Sequence, residues 1–161
     1  MKISNFKGKY VIVDVDGTLA DITDRLELAQ KAKTSNDKRM NWTVFLDPNI
    51  MLKFDKPNHD VISLVNLLRA SGAKIIITSA RNEIHRTVTE KQLEAWGVKY
   101  EKLFLRADGD FRGDEIVKQE ILQKIRSEGY EPVLAIDDRQ KVVDMWWKNG
   151  ITCWQVRQTI A

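Results

Sequence analysis

The sequence predicts an α/β fold: a parallel sheet with helices on both faces. Short apolar runs without polar alternation, such as Tyr10–Val13 and Pro132–Ile136, have the pattern of strands buried on both sides. Between them lie stretches with apolar residues at helical spacing, several ending at a glycine. The chain has 161 residues, 43% hydrophobic and 30% charged, which suits one domain with a core of its own.

In chain order, Tyr10-Val-Ile-Val runs into Asp14-Val15-Asp16-Gly17-Thr18 and is read as the first strand. Residues 20–57 carry no strand pattern. Asp24–Lys33 reads as a helix, Thr34–Lys38 as a polar break, and Pro48 and Pro57 as punctuation. This is too long for a connection, so it is taken as an insertion with its own small structure. Val61, Leu64, Val65 and Leu68 mark a helix face that ends at Gly72. Lys74–Ser79 is the second strand. Thr87-Val-Thr-Glu90 has capping-box spacing and opens a helix ending near Gly97. Tyr100–Leu105 is the third strand, and Ile116, Val117, Ile121 and Ile125 line the next helix. Pro132–Ile136 is the fourth strand, Arg139–Asn149 a helix, and Ile151–Val156 the fifth strand.

Other features narrow the class. Met1–Asn5 lacks the apolar core of a signal peptide, and no apolar run approaches membrane-spanning length. The lone Cys153, in an apolar segment, suits a packed thiol in a reducing cytoplasm. His59 and His85 are single and far apart, which argues against a zinc cluster. A net charge of +3 is too small by itself to argue for nucleic acid. Lys31, Lys33, Lys38 and Arg39 precede Trp42 and Phe45, a basic and aromatic mixture found on single-strand binding surfaces, although a solvated helix face explains it as well.

The chemistry gathers at strand ends. Side chains alternate along a strand, so Asp14 and Asp16 leave it on one side at its carboxyl end. As an isolated pair they read equally well as turn residues. Ser79 and Asp137-Asp138 end two further strands, and in open parallel sheets ligands bind beyond such ends. Four acids on one rim imply a hard, oxygen-seeking cation such as Mg2+. Lys118, off the apolar face of its helix, is the cation that could hold an anionic substrate beside them.

Asp14-Val15-Asp16-Gly17-Thr18, Ser79, Lys118 and Asp137-Asp138 resemble, in order, the four motifs of the haloacid dehalogenase-like phosphatases. The stretches around Ser79-Ala80-Arg81, Leu103–Arg106, Gly109–Asp114 and Asp137–Trp146 are similar to one branch, typified by the 3′-phosphatase half of bacteriophage polynucleotide kinase–phosphatase. This resemblance implies a three-layer Rossmann-like domain spanning 1–161. Its five-stranded parallel sheet would have the order 5-4-1-2-3, with residues 20–57 as a small helical cap insertion. It implies a Mg2+-dependent phosphatase acting on polynucleotide 3′-phosphates, with nucleotides or other small phosphate esters as the alternative substrates.

The same resemblance assigns roles. Asp14 would be the nucleophile, forming an aspartyl-phosphate. Asp14, the backbone carbonyl of Asp16 and the Asp137 carboxylate would bind the metal, with Asp138 in support. The Asp16 carboxyl group would move protons, its pKa raised by neighbouring Asp14. Ser79, Lys118 and the backbone N–H groups around Gly17 and Thr18 would hold the phosphoryl oxygens. Arg81 and Arg106 would contact the substrate, and Asp114 would orient Lys118 or an arginine. Ala80 stands where the pattern expects glycine. A Gly-x-x-x-x-Gly-Lys-Ser/Thr loop is lacking, so any end-healing kinase would be a separate protein, and the expected partners are a separate kinase or ligase.

Overall fold

The computed structural model describes residues 5–157. Its main sheet is built from β1 (Tyr10–Asp14), β4 (Lys74–Asn82), β5 (Lys102–Arg106), β6 (Pro132–Asp137) and β7 (Thr152–Gln155). All pair in parallel, in the spatial order β5-β4-β1-β6-β7. Numbered among themselves along the chain, these strands run 5-4-1-2-3 from the β7 edge, the order the resemblance implies. The labels differ because β2 (Ala20–Asp21) and β3 (Lys56–Pro57) form a separate antiparallel pair.

Successive β1 residues point to opposite faces, so each face gets its own core. Val11 and Val13 pack with Val61, Val65, Leu68 and Leu93, from α4 (His59–Ala70) and α5 (Arg86–Ala95). Ile12 packs on the other side with Ile121, Ile125, Val142 and Trp146, from α6 (Asp114–Ser127) and α7 (Gln140–Lys148). Each crossover buries one apolar helix stripe, which gives the three layers.

Residues 20–57 carry α1 (Thr23–Lys31), α2 (Trp42–Phe45) and α3 (Pro48–Phe54) between β2 and β3. Polar residues set the short helices: the Asn41 side chain accepts from Val44 N–H, and Asp47 accepts from Asn49 and Ile50 with Pro48 in the first turn. Leu26, Ala29 and Met40 form a small core within the insertion. Asn58, where the insertion ends, ties it back to the turn after β1 by donating its side-chain amide to Thr18 O.

Two local expectations fail: the ends of 20–57, read without strand, form the β2–β3 pair, and the expected helix start after β4 is misplaced. Residues 87–90 do not cap a helix, because Glu83–His85 already form a 3-10 turn that leads into α5 at Arg86. Thr89 lies inside the helix, its hydroxyl donating to the His85 carbonyl one turn earlier. His85 itself is buried, with Nε2 2.7 Å from Leu46 O of the insertion, a packing role.

Candidate active site

The sheet's order reverses between β1 and β6, the usual place for a ligand crevice in this architecture. Val13 pairs with Ile136, so Asp14 and Asp137 leave adjoining strands at the same level. The chain then turns sharply. Gly17, at φ +83, takes a backbone conformation that a side chain would strain, and Thr18 folds back so that its hydroxyl donates to Asp14 Oδ2 at 2.9 Å.

Lys118 enters from α6. Its ammonium donates to Asp14 Oδ1 and to Asp137 Oδ2, each at 2.7 Å, with all three side chains buried. Trp146 Nε1 also donates to Asp137 Oδ2 at 3.2 Å, and the Asp138 N–H to Asp137 Oδ1 at 3.0 Å. Carboxylate oxygens of Asp14, Asp137 and Asp138 lie within 4.8 Å of one another. Burial and the neighbouring Asp137 push the Asp14 carboxyl well above its ordinary range, against the pull of Lys118. Burial works against the Lys118 ammonium, but Asp137 and Asp14 outweigh it and hold the group protonated.

Asp16 parts company with Asp14. Its carboxylate faces Arg25 Nη2 of α1 at 2.6 Å and Arg81 Nη2 of β4 at 2.7 Å. The expected raised pKa is therefore corrected. Burial favours the neutral acid, but the two guanidiniums outweigh it and hold the group well below the usual carboxylate range.

Arg81 also departs from expectation. Its guanidinium is buried and donates to Asp16, Asp55, Thr89 and Gln92, which occupy every N–H it has. In this state it braces Asp16 and leaves no donor for a phosphate. The backbone N–H groups of Gly17 and Thr18 are likewise used within the turn, donating to Ala20 O and Val15 O. Ser79 is buried, its Oγ accepting from Arg81 N–H. Its neighbours Ala80 and Arg81 line the cleft rather than Ser79 itself.

Arg106 is a loop brace. It donates to the carbonyls of Ala80, Asp110 and Arg112 and to Asp114 Oδ1. Asp114 takes Arg139 on its other oxygen, so of its two expected roles it orients arginines and not Lys118. These groups line a cleft of about 990 Å³, walled on one side by Met40, Trp42 and Phe45 of the insertion. Arg39 lines it as well, whereas Lys31, Lys33 and Lys38 do not.

Several participants carried little sequence signal. Arg25 is fully buried, binding Asp55 at 2.8 Å, Asp16, and the Phe45 carbonyl. Its clue was a place in the apolar stripe Ile22–Leu26–Ala29. Asp55, Thr89 and Gln92 gave none. Trp146 showed as an apolar helix residue and as the end of a stretch similar to the phosphatase branch, with no site role assigned, although a buried indole N–H generally needs an acceptor.

Residues 8–159 match the family described as the polynucleotide kinase PNKP phosphatase domain. The chain belongs to that family. It is a haloacid dehalogenase-like phosphomonoester hydrolase. A protein of Autographa californica nuclear polyhedrosis virus, named for polynucleotide kinase and RNA ligase activities, is 27% identical over 157 residues, 91% of this chain and 20% of its own length. A chain of the solved Pnkp1/Rnl/Hen1 complex superposes with a TM-score of 0.74 at 28% identity, over 96% of this chain and 47% of that one. A haloacid dehalogenase-like hydrolase from Streptococcus pneumoniae shares the fold at TM-score 0.67 and 15% identity, over 94% of this chain and 88% of its own. The chain thus spans about a fifth of the viral relative and under half of the repair-complex chain.

Proposed function

We propose that this hydrolase removes 3′-phosphates from polynucleotide ends, in a Mg2+-dependent reaction that passes through an aspartyl-phosphate on Asp14. The observation that carries the chemistry is the buried cluster of Asp14, Asp137 and Asp138 held against Lys118 at the switch point. Three close carboxylates with one ammonium are an excess of hard oxygen donors, a set that fits Mg2+. Those carboxylates and the Asp16 backbone carbonyl would hold the ion. When bound, it supplies compensation for phosphoryl charge.

The protein's own groups do the rest. An Asp14 oxygen attacks phosphorus, the P–O ester bond breaks, and the leaving oxygen takes a proton from the Asp16 carboxyl. Asp16 then takes a proton from water as it attacks the acyl phosphate, which releases inorganic phosphate and restores Asp14. Lys118 and Thr18 keep the Asp14 carboxylate oriented, and Lys118 offsets charge on the phosphoryl oxygens. Since Arg25 and Arg81 favour ionised Asp16, proton donation requires one of those contacts to give way as substrate binds.

The polynucleotide substrate is supported by the family match over nearly the whole chain and by the likeness to a protein of an RNA repair complex. The viral relative's name joins kinase and ligase, consistent with a kinase or ligase working alongside this domain. The experiment is a comparison of kcat/KM for a 3′-phosphorylated oligonucleotide, a 3′-mononucleotide and a 5′-mononucleotide. We expect the oligonucleotide to win, its advantage to shrink with salt, and turnover to vanish in EDTA and return with Mg2+. A mononucleotide turned over equally well or better would overturn the polynucleotide reading in favour of small phosphate esters.

A further inference from the structure

The loop between β5 and α6 holds an aromatic ring out over the cleft. Phe111 is 93% exposed, more than any other large apolar side chain among the described residues, and it lines the cleft. Water is a poor environment for a phenyl ring, and a mobile tip could fold it away. This tip is tied on both sides instead. Arg106 Nη1 donates to the carbonyls of Asp110, at 3.1 Å, and Arg112, at 2.7 Å, the two residues flanking Phe111. The Arg112 guanidinium then pairs with Asp110 and, across to α6, with Glu120. The brace behind the loop, Arg106, also reaches Asp114 and Ala80. A preorganised, solvent-facing ring on the wall of a cleft lined also by Arg39, Arg139 and Lys141 joins a stacking platform to phosphate-seeking charge. That combination characterises single-stranded nucleic-acid sites.

We propose that Phe111 stacks on the nucleobase next to the scissile 3′-phosphate and so sets a preference for base-bearing ends. This rests on the polynucleotide reading above. Every base has a π-face, so the contact is general in sequence and selects for the presence of a base rather than its identity. Arg106 acts as a positioning residue for the ring.

The test compares two 3′-phosphorylated oligonucleotides, one ending in an ordinary nucleotide and one in an abasic tetrahydrofuran residue, with glycerol phosphate alongside. The wild-type protein should favour the base-bearing end by at least about fivefold in kcat/KM, mostly through KM. Phe111→Ala should erase that preference, and Phe111→Trp should keep it, showing that loss of the ring and not of the fold is responsible. Trp147→Ala, which removes an exposed aromatic outside the cleft, should leave the preference in place. Equal turnover of both ends by wild type, or an equal fall on both in Phe111→Ala, would overturn the inference while leaving the 3′-end activity standing. If neither oligonucleotide reacts but glycerol phosphate does, the polynucleotide reading fails and this inference with it.

Discussion

The ammonium of Lys118 donates to Oδ1 of Asp14 at 2.7 Å, although the two are 104 residues apart in the chain. Replacing it should cost both chemistry and stability. Lys118→Met is expected to lower kcat on an aryl phosphate by roughly 100- to 1000-fold, the usual effect of losing one donor to developing charge. It also leaves Asp14, Asp137 and Asp138 without their cation, so its melting temperature should fall in EDTA and gain more from added Mg2+ than wild type does. Asp14→Asn should abolish turnover with the circular dichroism spectrum unchanged. Wild-type rates in either variant would refute the assignment.

Arg25 and Asp55 form an ion pair with both side chains fully buried. Arg25→Met leaves the Asp55 carboxylate with only Arg81 and Gln92, which reach its other oxygen, and removes half the cationic support of Asp16. A loss of about 3–5 kcal/mol in urea unfolding is expected, as for other broken buried pairs. A change below about 1 kcal/mol would mean that the pair is well hydrated in solution.

Stability in EDTA should improve as pH falls from 8 toward 5. Asp14 and Asp55 both have raised folded-state pKa values, from burial and then from a neighbouring carboxylate, Asp137 and Asp16 respectively. Above their unfolded values, near about 4, the folded protein binds more protons than the unfolded chain, so stability declines as pH rises. Asp16 has the opposite sign. Its depressed pKa gives stability present above about 4 and lost as pH falls further. Melting temperatures across pH, without metal, should therefore peak on the mildly acidic side. A monotonic rise to pH 8 would contradict the burial of Asp14.

Burial pushes the Cys153 thiol up to about 12, helped by Asp137. Folded protein should react with a thiolate reagent far more slowly than urea-unfolded protein. As pH climbs past about 9 the unfolded chain ionises first, so stability should fall. Rapid labelling of the native protein at pH 8 would show the site to be open.

Apolar runs such as Tyr10–Val13 announced the strands because burial on two faces leaves no room for polar alternation. Asp14, Lys118 and Asp137 were legible by type and order alone, and the structure brings them within hydrogen-bond distance. Asp16 was not legible in the same way. Its ionisation depends on Arg25 and Arg81, and nothing in a local pattern says that residues 9 and 65 positions away will meet there. Arg81 and Arg106, read as substrate contacts, are engaged as braces in this structure: Arg81 by Asp16 and Asp55 from distant elements, Arg106 mostly by carbonyls of its own following loop and a carboxylate at the start of α6. The capping-box reading failed because a 3-10 turn had already started the helix, a competition that spacing does not reveal.

The guanidinium–carboxylate knot formed by Arg25, Asp55, Asp16 and Arg81 joins the 20–57 insertion to the sheet through buried charge. Lifting the insertion away would break the Arg25–Asp16 and Arg81–Asp55 pairs together, so it behaves as a fixed wall and not as a door. Under the proposed activity, a nucleic-acid end would reach Asp14 through the cleft as it stands, with no opening of the insertion as a separate step before chemistry.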